Sequence, residues 1–367
     1  MRIDPHRRQF VLCSAAALAQ FSLAPMVFAQ APRITVPTVD SLTIRVLTDS
    51  SYDTPRVGSN KWVKTRRAPF TSSTDFRKTL HNEWGLSLAL ESRIGGDTRN
   101  LLLDFGYTPN ALLNNMEIIG VDGAKMQGLV VSHGHFDHFG GLLGYLEKYR
   151  DRLPADLALY VGGEDTFCTR KALRGPGHLT DSGVLDRRDL EKYRLRIVTC
   201  EQPTVVLGHA FTTGTIQRRS FERVLPNTQV EYFKSNGAGC DIPSANAKAQ
   251  GKAVADEHIH EHGTCFNVKD RGLVVMSSCG HAGIVNTVRQ AMEVSGVKKL
   301  HAALGGFHLF PAPDDYLRQT VAELKALDPD VLIPMHCSGP SLVALLRSDM
   351  ADRVLTSSTG TEYVFGA

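Results

Sequence analysis

The sequence has little net charge, few aromatic residues and, beyond its amino terminus, no long apolar run. Lys and Arg number 41 against 38 Asp and Glu, so the formal net charge of +3 implies no strong polyanion or polycation partner. No basic stripe is interleaved with aromatic residues, which make up 7%, so nothing indicates nucleic-acid binding. Hydrophobic residues at 42% and charged residues at 22% exclude a disordered chain, a collagen-like chain and a small disulfide-stapled scaffold.

The amino terminus has the three parts of a secretory signal. Arg7-Arg8 comes first, an apolar Ala-rich stretch follows, and Val27-Phe28-Ala29 offers small residues for cleavage. The paired arginines, followed by Phe10 and Leu12, resemble the bacterial twin-arginine signal. A membrane anchor is the alternative, but polar residues and a proline interrupt the apolar stretch. We therefore expect residues 1–29 to be a signal peptide read by the twin-arginine export machinery. The mature protein should then be periplasmic or otherwise exported, without a membrane span.

Six cysteines remain after residue 29, an even number that permits disulfides in an oxidising compartment. They are Cys168, Cys200, Cys240, Cys265, Cys279 and Cys337. Cys279 and Cys337 stand inside histidine-containing motifs, so the sequence does not predict that these two are paired.

The order of predicted elements indicates an α/β fold, and the length fits either one large domain over residues 43–367 or two modest domains. Strands cluster first with few helices and then alternate with them, which is typical of a sandwich with helices outside. The Pro-, Thr- and Ala-rich segment 30–42 is expected to be a linker. Long loops are predicted over 50–80 and 234–252, and a closing strand over 354–357.

The segment from residue 132 to 138, SHGHFDH, carries four candidate metal ligands after a short buried strand. His133 and His135 are two apart, so in extended chain both rings project to one side. Asp137 and His138 then fall at a turn into a helix, where they can serve a second ion. Imidazole and carboxylate suit zinc, and also iron or manganese. The spacing therefore predicts one or two divalent metal ions, with zinc favoured.

This His-x-His-x-Asp-His motif resembles that of the metallo-β-lactamase superfamily, which implies an αββα sandwich with one or two metals at the edge of its sheets. Further segments follow in the order of one subgroup, the dihydropterin-aminobenzene phosphate synthase-like proteins of the methanopterin pathway. These segments are Thr212–Glu222, Asp256-Glu257, Val274–Val288, Ala303–Leu309 and Ile333–Gly339. The resemblance runs from about residue 43 to 364, nearly the whole mature chain.

The resemblance implies a set of metal ligands. They are His133, His135, Asp137, His138, Cys279, His281 and His336. The family's middle histidine is not obvious between His138 and Cys279. His281 is the preferred candidate, and His209, in a predicted hairpin, is the weaker alternative.

The same resemblance suggests catalytic roles for Asp137, which can hold or shuttle a proton, and for His308, as a ligand or as the proton donor to a leaving group. Asp104, at the end of a strand, would orient a ligand histidine. Three arginines could contact an anionic group, although a solvated charged face is favoured for them. They are Arg218, Arg219 and Arg223.

Two features depart from the subgroup. Trp84 and Ser278 stand where relatives usually have His and Gly. The segment over 256–262, DEHIHEH, is unusually His-rich; in extended chain His258, His260 and His262 would share one face and could hold an extra ion. A polar edge strand or loop is the favoured interpretation.

Together these features predict an exported metal-dependent hydrolase that cleaves an ester, phosphoester or amide bond of a small molecule with a metal-bound hydroxide. One alternative is a synthase of the dihydropterin-aminobenzene phosphate type, against which export argues. A non-catalytic metal-containing binding protein is the other, since a fold alone does not name a function.

Overall fold

A computed structural model describes residues 31–53, 60–175, 178–225 and 228–366. The predicted signal over residues 1–29 lies outside the described residues. Among the helices of the described ranges, none is both long enough and apolar enough to cross a bilayer.

Short strands dominate the first half of the described chain, and strands alternate with helices in the second. The strands are β1 (Thr38–Val39), β2 (Ser41–Thr48), β3 (Lys64–Arg67), β4 (Ser87–Ile94), β5 (Asp97–Leu103), β6 (Gly128–Val131), β7 (Ala158–Val161), β8 (Thr169–Gly175), β9 (His178–Asp181), β10 (Arg196–Thr199), β11 (Val205–Val206), β12 (Ala210–Thr212), β13 (Thr228–Glu231), β14 (Lys234–Ser235), β15 (Ala238–Gly239), β16 (Val254–Ala255), β17 (Thr264–Val268), β18 (Gly272–Ser277), β19 (Leu300–Gly306), β20 (Val331–Met335) and β21 (Thr361–Gly366). The helices are α1 (Pro109–Ile119), α2 (Phe136–Phe139), α3 (Leu142–Tyr149), α4 (Arg187–Lys192), α5 (Pro243–Ala249), α6 (Ile284–Ser295), α7 (Asp314–Ala326) and α8 (Pro340–Met350). Single 3-10 turns lie at Gly123–Lys125, Arg150–Arg152, Glu164–Phe167, His336–Ser338 and Ala351–Arg353.

Two large sheets form the centre of the molecule. The first has the strand order β10-β7-β6-β5-β4-β2-β21-β3, and its strands β5, β6, β7 and β10 run parallel. The second has the order β11-β12-β17-β18-β19-β20, with β1 beside β17, and its strands β18, β19 and β20 run parallel. Strands β6, β7, β19 and β20 are buried along their whole length, as expected of parallel strands covered on both faces.

The apolar residues separate into three cores, which define an αββα sandwich. Between the sheets lie Ile44, Leu88, Leu103, Val130, Phe266, Val274, Leu304 and Ile333. Helices α1 and α3 cover the outer face of the first sheet, and helices α6, α7 and α8 cover that of the second. The predicted fold class is thereby confirmed.

The carboxyl ends of the parallel strands in both sheets point to one edge of the sandwich. The residues that follow these ends include Asp104 after β5, Ser132 after β6, Cys279 after β18, His308 after β19 and His336 after β20. A third sheet, in the order β16-β13-β8-β9, lies beside this edge. A disulfide between Cys168 and Cys240 joins the segment before β8 to the segment after β15.

Four predicted segments differ from the structure. The expected linker over 30–42 contains β1 and the start of β2, because the β-branched Thr38–Val39 pairs in parallel with β17. The predicted loop over 50–80 contains β3. The predicted loop over 234–252 contains β14, β15 and α5, a helix with proline at its start and three alanines. The closing strand is β21 rather than 354–357, since only Val354 of that segment forms a bridge.

Candidate metal centre

The predicted histidine motif forms a tight loop between β6 and α2. The ring centroids of His133 and His135 lie 4.7 Å apart, and those of His133 and His138 lie 4.2 Å apart. A Cβ at Gly134 would come within 2.5 Å of the Thr166 carbonyl oxygen, so only glycine fits where the loop packs against the segment that contains Thr166. The backbone of the motif thus brings its imidazoles close to one another.

Asp104 holds this loop from the end of β5. Its carboxylate accepts hydrogen bonds from the Ser132 backbone N–H (2.8 Å) and hydroxyl (2.7 Å), and it lies 2.8 Å from His138 Nδ1. Asp104 and His138 are both fully buried. Since Nδ1 faces the carboxylate, Nε2 is the nitrogen of His138 that is turned to the centre. The structure therefore shows the orienting contact that the resemblance implied for Asp104.

The second sheet contributes Cys279 and His281 from the loop after β18. The Glu261 carboxylate accepts three backbone N–H bonds from this loop, from Gly280 (2.7 Å), His281 (3.0 Å) and Ala282 (2.6 Å). The His281 ring lies 5.0 Å from that of His133, centroid to centroid. Glu261 therefore fixes the loop that brings the second sheet's ligands to the first sheet's histidines.

Asp137 and His336 meet across the seam between the sheets. Their closest atoms, Asp137 Oδ2 and His336 Nε2, are 3.3 Å apart. Asp49 accepts the His336 backbone N–H at 2.8 Å, and the Ser50 hydroxyl lies 2.9 Å from His336 Nδ1. Burial alone would raise the pKa of Asp137, but the neighbouring His138 and His336 hold it below its ordinary value, so the carboxylate is ionised.

His258 also belongs to this cluster: its segment is a loop, as the favoured interpretation had it, but a buried one that places this histidine among the candidate ligands. It is buried, and its ring stacks on that of His281 at 3.9 Å with an interplanar angle of 12°. Its φ of 47° is left-handed, so the segment turns there instead of extending. The three histidines consequently do not share one face. The abundance of histidine was a usable signal, but the period-two reading of it was wrong.

His260 and His262 point elsewhere. The Nε2 of His260 accepts the Gly134 N–H at 2.8 Å, and its Nδ1 lies 2.7 Å from Asp165 Oδ2. Arg170 joins this group and is fully buried, with its Nε 2.7 Å from Asp256 Oδ2. We call Asp165, Arg170, Asp256 and His260 the arginine network. His262 lies with Nε2 at 3.2 Å from the Val131 carbonyl oxygen.

His209 does not reach the cluster. Its two ring nitrogens lie 3.0 Å from the Ser92 hydroxyl and 3.2 Å from Asp97 Oδ2, at the opposite end of the first sheet. The alternative that made it the middle histidine is therefore wrong, because the ligands gather where β5 ends and Asp97 is where β5 begins.

The three arginines considered for anion binding do not line the cleft described below. Arg218 pairs with Glu257 and Arg219 with Glu293, each at 2.7 Å, while Arg223 lies over the Tyr316 ring. These contacts agree with the favoured interpretation of a charged surface.

The donor atoms of the cluster can be grouped by mutual distance. Four overlapping groups have ligand atoms all within 4.8 Å of one another, namely His133-Cys279-His281, His135-His258-His281, His138-Cys279-His336 and Cys279-His308-Cys337. We call these residues, with Asp137, the candidate centre. The four groups contain every sequence-predicted ligand except Asp137, which lies beside His336. His258, considered from the sequence only for an extra ion, and Cys337 are the members outside the predicted ligand set.

The chemistry of these donors fits a divalent metal ion. Buried nitrogens of His133 (Nε2), His281 (both) and His308 (Nε2) have no hydrogen-bond partner among the described residues, although buried polar atoms are normally paired. Burial, reinforced by neighbouring histidines, lowers the pKa of His133 and His281 well below the ordinary value. Burial also lowers the pKa of His135 to about 3. These rings are therefore neutral, which is the form that binds metal.

His336 is the exception in protonation. Burial opposes a charge there, but the neighbouring Cys337 and Asp137 raise the pKa of His336 to about 10. A metal ion that binds this ring must displace a proton, so binding is favoured as pH rises.

An open cleft of about 630 Å³ leads to the candidate centre. His135, Asp137, Cys279, His308 and His336 line its base. Aromatic side chains line its walls, and they are Trp84, Tyr107, Phe136 and Phe310. Trp84, which departs from the subgroup, lies with its ring 4.9 Å from that of His336. A small molecule can therefore reach donors that are otherwise buried.

Comparison with known proteins shows which family and which solved structures this chain resembles. The model of the metallo-β-lactamase superfamily matches residues 92–156, which include the histidine motif. The crystal structure of Tm1679, described as a metal-dependent hydrolase of the β-lactamase superfamily, superposes with a TM-score of 0.63 at 20% identity, covering 88% of this chain and 98% of Tm1679. The chain is therefore similar to the metallo-β-lactamase superfamily in the segment that carries the histidine motif, and it shares the fold of Tm1679.

Curated relatives agree with the suspected subgroup. A 7,8-dihydropterin-6-methyl-4-(β-D-ribofuranosyl)-aminobenzene-5′-phosphate synthase of Methanocaldococcus jannaschii is 26% identical over 264 residues, 72% of this chain and 84% of the relative. An uncharacterised protein of the same organism is 26% identical over 243 residues, 66% of this chain and 80% of the relative. The chain is thus similar to the methanopterin-pathway synthase along most of its length.

Proposed function

We propose that this chain is an exported metal-dependent hydrolase that cleaves an ester, phosphoester or amide bond of a small molecule. The observation that carries the proposal is the set of neutral, unpartnered imidazole nitrogens at the base of an open cleft. Imidazole nitrogens without hydrogen-bond partners at such a position favour a metal centre, and the open cleft gives a substrate access to it. Tm1679, whose fold this chain shares, is described as a metal-dependent hydrolase, which agrees with the proposal.

When bound, divalent ions supply Lewis acidity and lower the pKa of water toward neutrality. Zinc fits the histidine and cysteine donors of the candidate centre best, and iron or manganese fits the histidines and Asp137. The ligands proposed from the sequence are retained, and His258 is added to them.

Asp137 and His308 are the proposed proton-handling groups. Both line the cleft, and the ionised carboxylate of Asp137 can accept a proton from an attacking water at an Oδ atom. The Nε2 of His308 has no hydrogen-bond partner among the described residues. Where this nitrogen does not hold a metal ion, it carries the ring proton and can donate it to a leaving group. The aromatic walls suit a substrate that carries an aromatic or apolar portion.

Export is supported by two independent features. Residues 1–29 have the pattern of a twin-arginine signal, and the described chain contains the Cys168–Cys240 disulfide. Disulfides persist in oxidising compartments such as the periplasm.

A second candidate is a synthase of the dihydropterin-aminobenzene phosphate type. It is favoured by the 26% identity to the Methanocaldococcus jannaschii synthase over 72% of this chain. Export weighs against it, because pterin and sugar-phosphate intermediates belong in the cytoplasm.

The test combines metal analysis with a substrate screen on the exported chain. We expect about two metal ions per chain, a sharp fall in His135→Ala, and turnover of at least one ester, amide or phosphodiester that the variant loses. His209→Ala is the matched control, since this buried histidine lies at the other end of the sheet and should leave metal content unchanged.

Two outcomes would count against the hydrolase. Less than about half a metal ion per chain, unchanged in His135→Ala and not raised by added zinc, iron or manganese, would indicate a binding protein without metal chemistry. A full metal content with no hydrolysis, but with condensation of a pterin and an aminobenzene-ribose phosphate, would favour the synthase.

A further inference from the structure

Two cysteine thiols lie side by side at the base of the cleft. Cys279 follows β18, Cys337 follows β20, and their Sγ atoms are 3.3 Å apart. Both residues are almost fully buried, yet both line the cleft. The structure describes them as free thiols rather than as a disulfide.

A histidine completes this group from a third loop. His308 follows β19, and its Nδ1 lies 3.5 Å from Cys279 Sγ while its backbone N–H donates to Cys337 Sγ at 3.3 Å. The ring nitrogen Nε2 is buried without a hydrogen-bond partner among the described residues. Three loops at the ends of three adjacent strands therefore bring two sulfur atoms and one imidazole within 4.8 Å of one another.

The backbone makes room for the second thiol. A Cβ on Gly306 would lie 2.8 Å from Cys337 Sγ and 2.5 Å from the Ser278 carbonyl oxygen, so a side chain there would displace the sulfur. His308 itself has a left-handed φ of 46°, a conformation that non-glycine residues adopt rarely. Strain of this kind persists only where surrounding structure enforces it, and it occurs often at functional sites.

We infer that Cys337, together with Cys279 and His308, forms a thiolate-rich metal position within the candidate centre, selective for zinc or another thiophilic ion over manganese or magnesium. Thiolate sulfur prefers borderline and soft ions, whereas carboxylate and carbonyl oxygen prefer hard ones. The inference rests on the metal centre of the proposed function, but it does not depend on hydrolysis.

Cobalt(II) is a suitable probe, because thiolate ligands give it an intense near-ultraviolet charge-transfer absorption that imidazole and carboxylate do not. The exported chain is stripped of metal and titrated with cobalt(II). We expect this band in the wild type, a fall of about half in Cys337→Ser, and its disappearance in Cys279→Ser/Cys337→Ser. Cys265→Ala is the matched control, since this buried free cysteine lies in the core beneath the helices of the second sheet.

Two results would overturn the inference. One is cobalt binding in which Cys337→Ser leaves the band at wild-type intensity. The other uses the wild type, so it does not depend on whether a variant folds. After zinc loading and denaturation without reductant, we expect the four free thiols of the described chain. Only two free thiols would mean that Cys279 and Cys337 form a disulfide, which would overturn the inference.

The outcomes separate this inference from the proposed function. Hydrolysis with bound cobalt but without the charge-transfer band would leave the hydrolase intact and exclude thiolate ligation. The band without turnover of any ester, amide or phosphodiester would support the thiolate position and count against the hydrolase.

Discussion

The candidate centre and the arginine network are adjacent buried clusters that meet the same distance criterion for a metal site. In each, ligand atoms of at least three His, Cys, Asp or Glu residues lie within 4.8 Å of one another. They differ in how those atoms are used. The candidate centre leaves buried imidazole nitrogens without partners, whereas in the network the guanidinium of Arg170 sits between two carboxylates.

Short distances between ligand atoms are therefore not sufficient to indicate a metal site. Arg170 donates to Asp256 and to the carbonyl oxygens of Asp165 and Cys168, and His260 uses both ring nitrogens on Asp165 and Gly134. The guanidinium of Arg170 therefore occupies the position between the carboxylates that a metal ion would otherwise take. The network is therefore structural and holds the histidine loop, through Gly134, against the third sheet.

The largest expected effect is that of removing a ligand which two donor groups share. His281→Ala should lower bound metal and reduce hydrolysis at least a thousandfold, about 4 kcal/mol of barrier, because His281 serves the His133 and His135 groups alike. Elemental analysis and steady-state kinetics measure this. His209→Ala should change neither the metal content nor the hydrolysis. Full metal retention in His281→Ala would contradict the conclusion that the candidate centre binds metal and the arginine network does not.

Next is removal of the cation from the arginine network. Arg170→Met should lower the free energy of unfolding of the metal-free protein by about 3–5 kcal/mol, because it leaves two buried carboxylates without the cation that pairs with them. Denaturant titration measures this, with Arg188→Met, at an exposed pair with Asp186, as a control expected to change stability by less than about 0.5 kcal/mol.

Metal content per folded chain should survive in Arg170→Met. If the variant does not fold, Arg170→Met/Asp256→Asn removes one of the two charges and should regain part of the loss. A cost below about 1 kcal/mol would show that the network is not the buried ion cluster described here.

A smaller effect is expected from the carboxylate that orients His138. Asp104→Asn keeps the shape but exchanges one oxygen for an amide nitrogen, which cannot accept a hydrogen bond. Depending on which position the nitrogen takes, either the bond from the Ser132 N–H or the bonds from the Ser132 hydroxyl and His138 Nδ1 are lost. Metal affinity, measured by competition with a chelator, should fall about 10- to 100-fold. Asp97→Asn, at the far Asp–His pair with His209, is the matched control, and equal effects of the two variants would contradict the assignment.

At neutral pH the smallest effect is expected at His262, and this residue tests whether an unpartnered nitrogen is by itself enough to bind metal. His262 has a buried Nδ1 without a hydrogen-bond partner among the described residues, yet it belongs to none of the donor groups. Burial lowers the pKa of His262 from 6.5 to about 4, so below about pH 6.5 the unfolded chain binds a proton that the folded chain does not. Stability should thus fall as pH falls through this range.

His262→Gln should flatten that fall by about 1.4 kcal/mol per pH unit between 6.5 and 4, measured by denaturant titration of the metal-free protein. Metal content at neutral pH should not change. A loss of metal in this variant would mean that an unpartnered nitrogen without neighbouring donors is sufficient for binding.

The sequence predicts the features that depend on local spacing. The local arrangement of the motif from His133 to His138 follows from its sequence, because the end of a strand and the start of a helix place four side chains within six residues. Apolar strands such as β19 and β20 are recognisable because both faces are buried. The resemblance supplied Cys279, His281 and His336 in the right order, and the structure brings all three to the same edge.

What the sequence could not predict depends on contacts between distant segments. His258 lies in a left-handed turn that breaks the two-residue period, so neither alternation nor the favoured polar strand or loop predicted its place among the ligands. Glu261 and Asp49 hold ligand loops through backbone N–H groups, and no sequence pattern marks such a bond. Cys337 is recognisable as a candidate ligand only because its thiol lies beside that of Cys279, which follows another strand.

The candidate centre lies on the seam between the two sheets, and this position has a consequence for the order of folding. His133 and His281 are about 150 positions apart in the chain, so the donors are assembled only after a very long loop has closed. An ion held there would act as a removable cross-link between the two halves of the chain. Its stabilisation would grow with the free metal concentration, so the compartment in which the chain meets its metal would set how long the folded form resists opening and proteolysis.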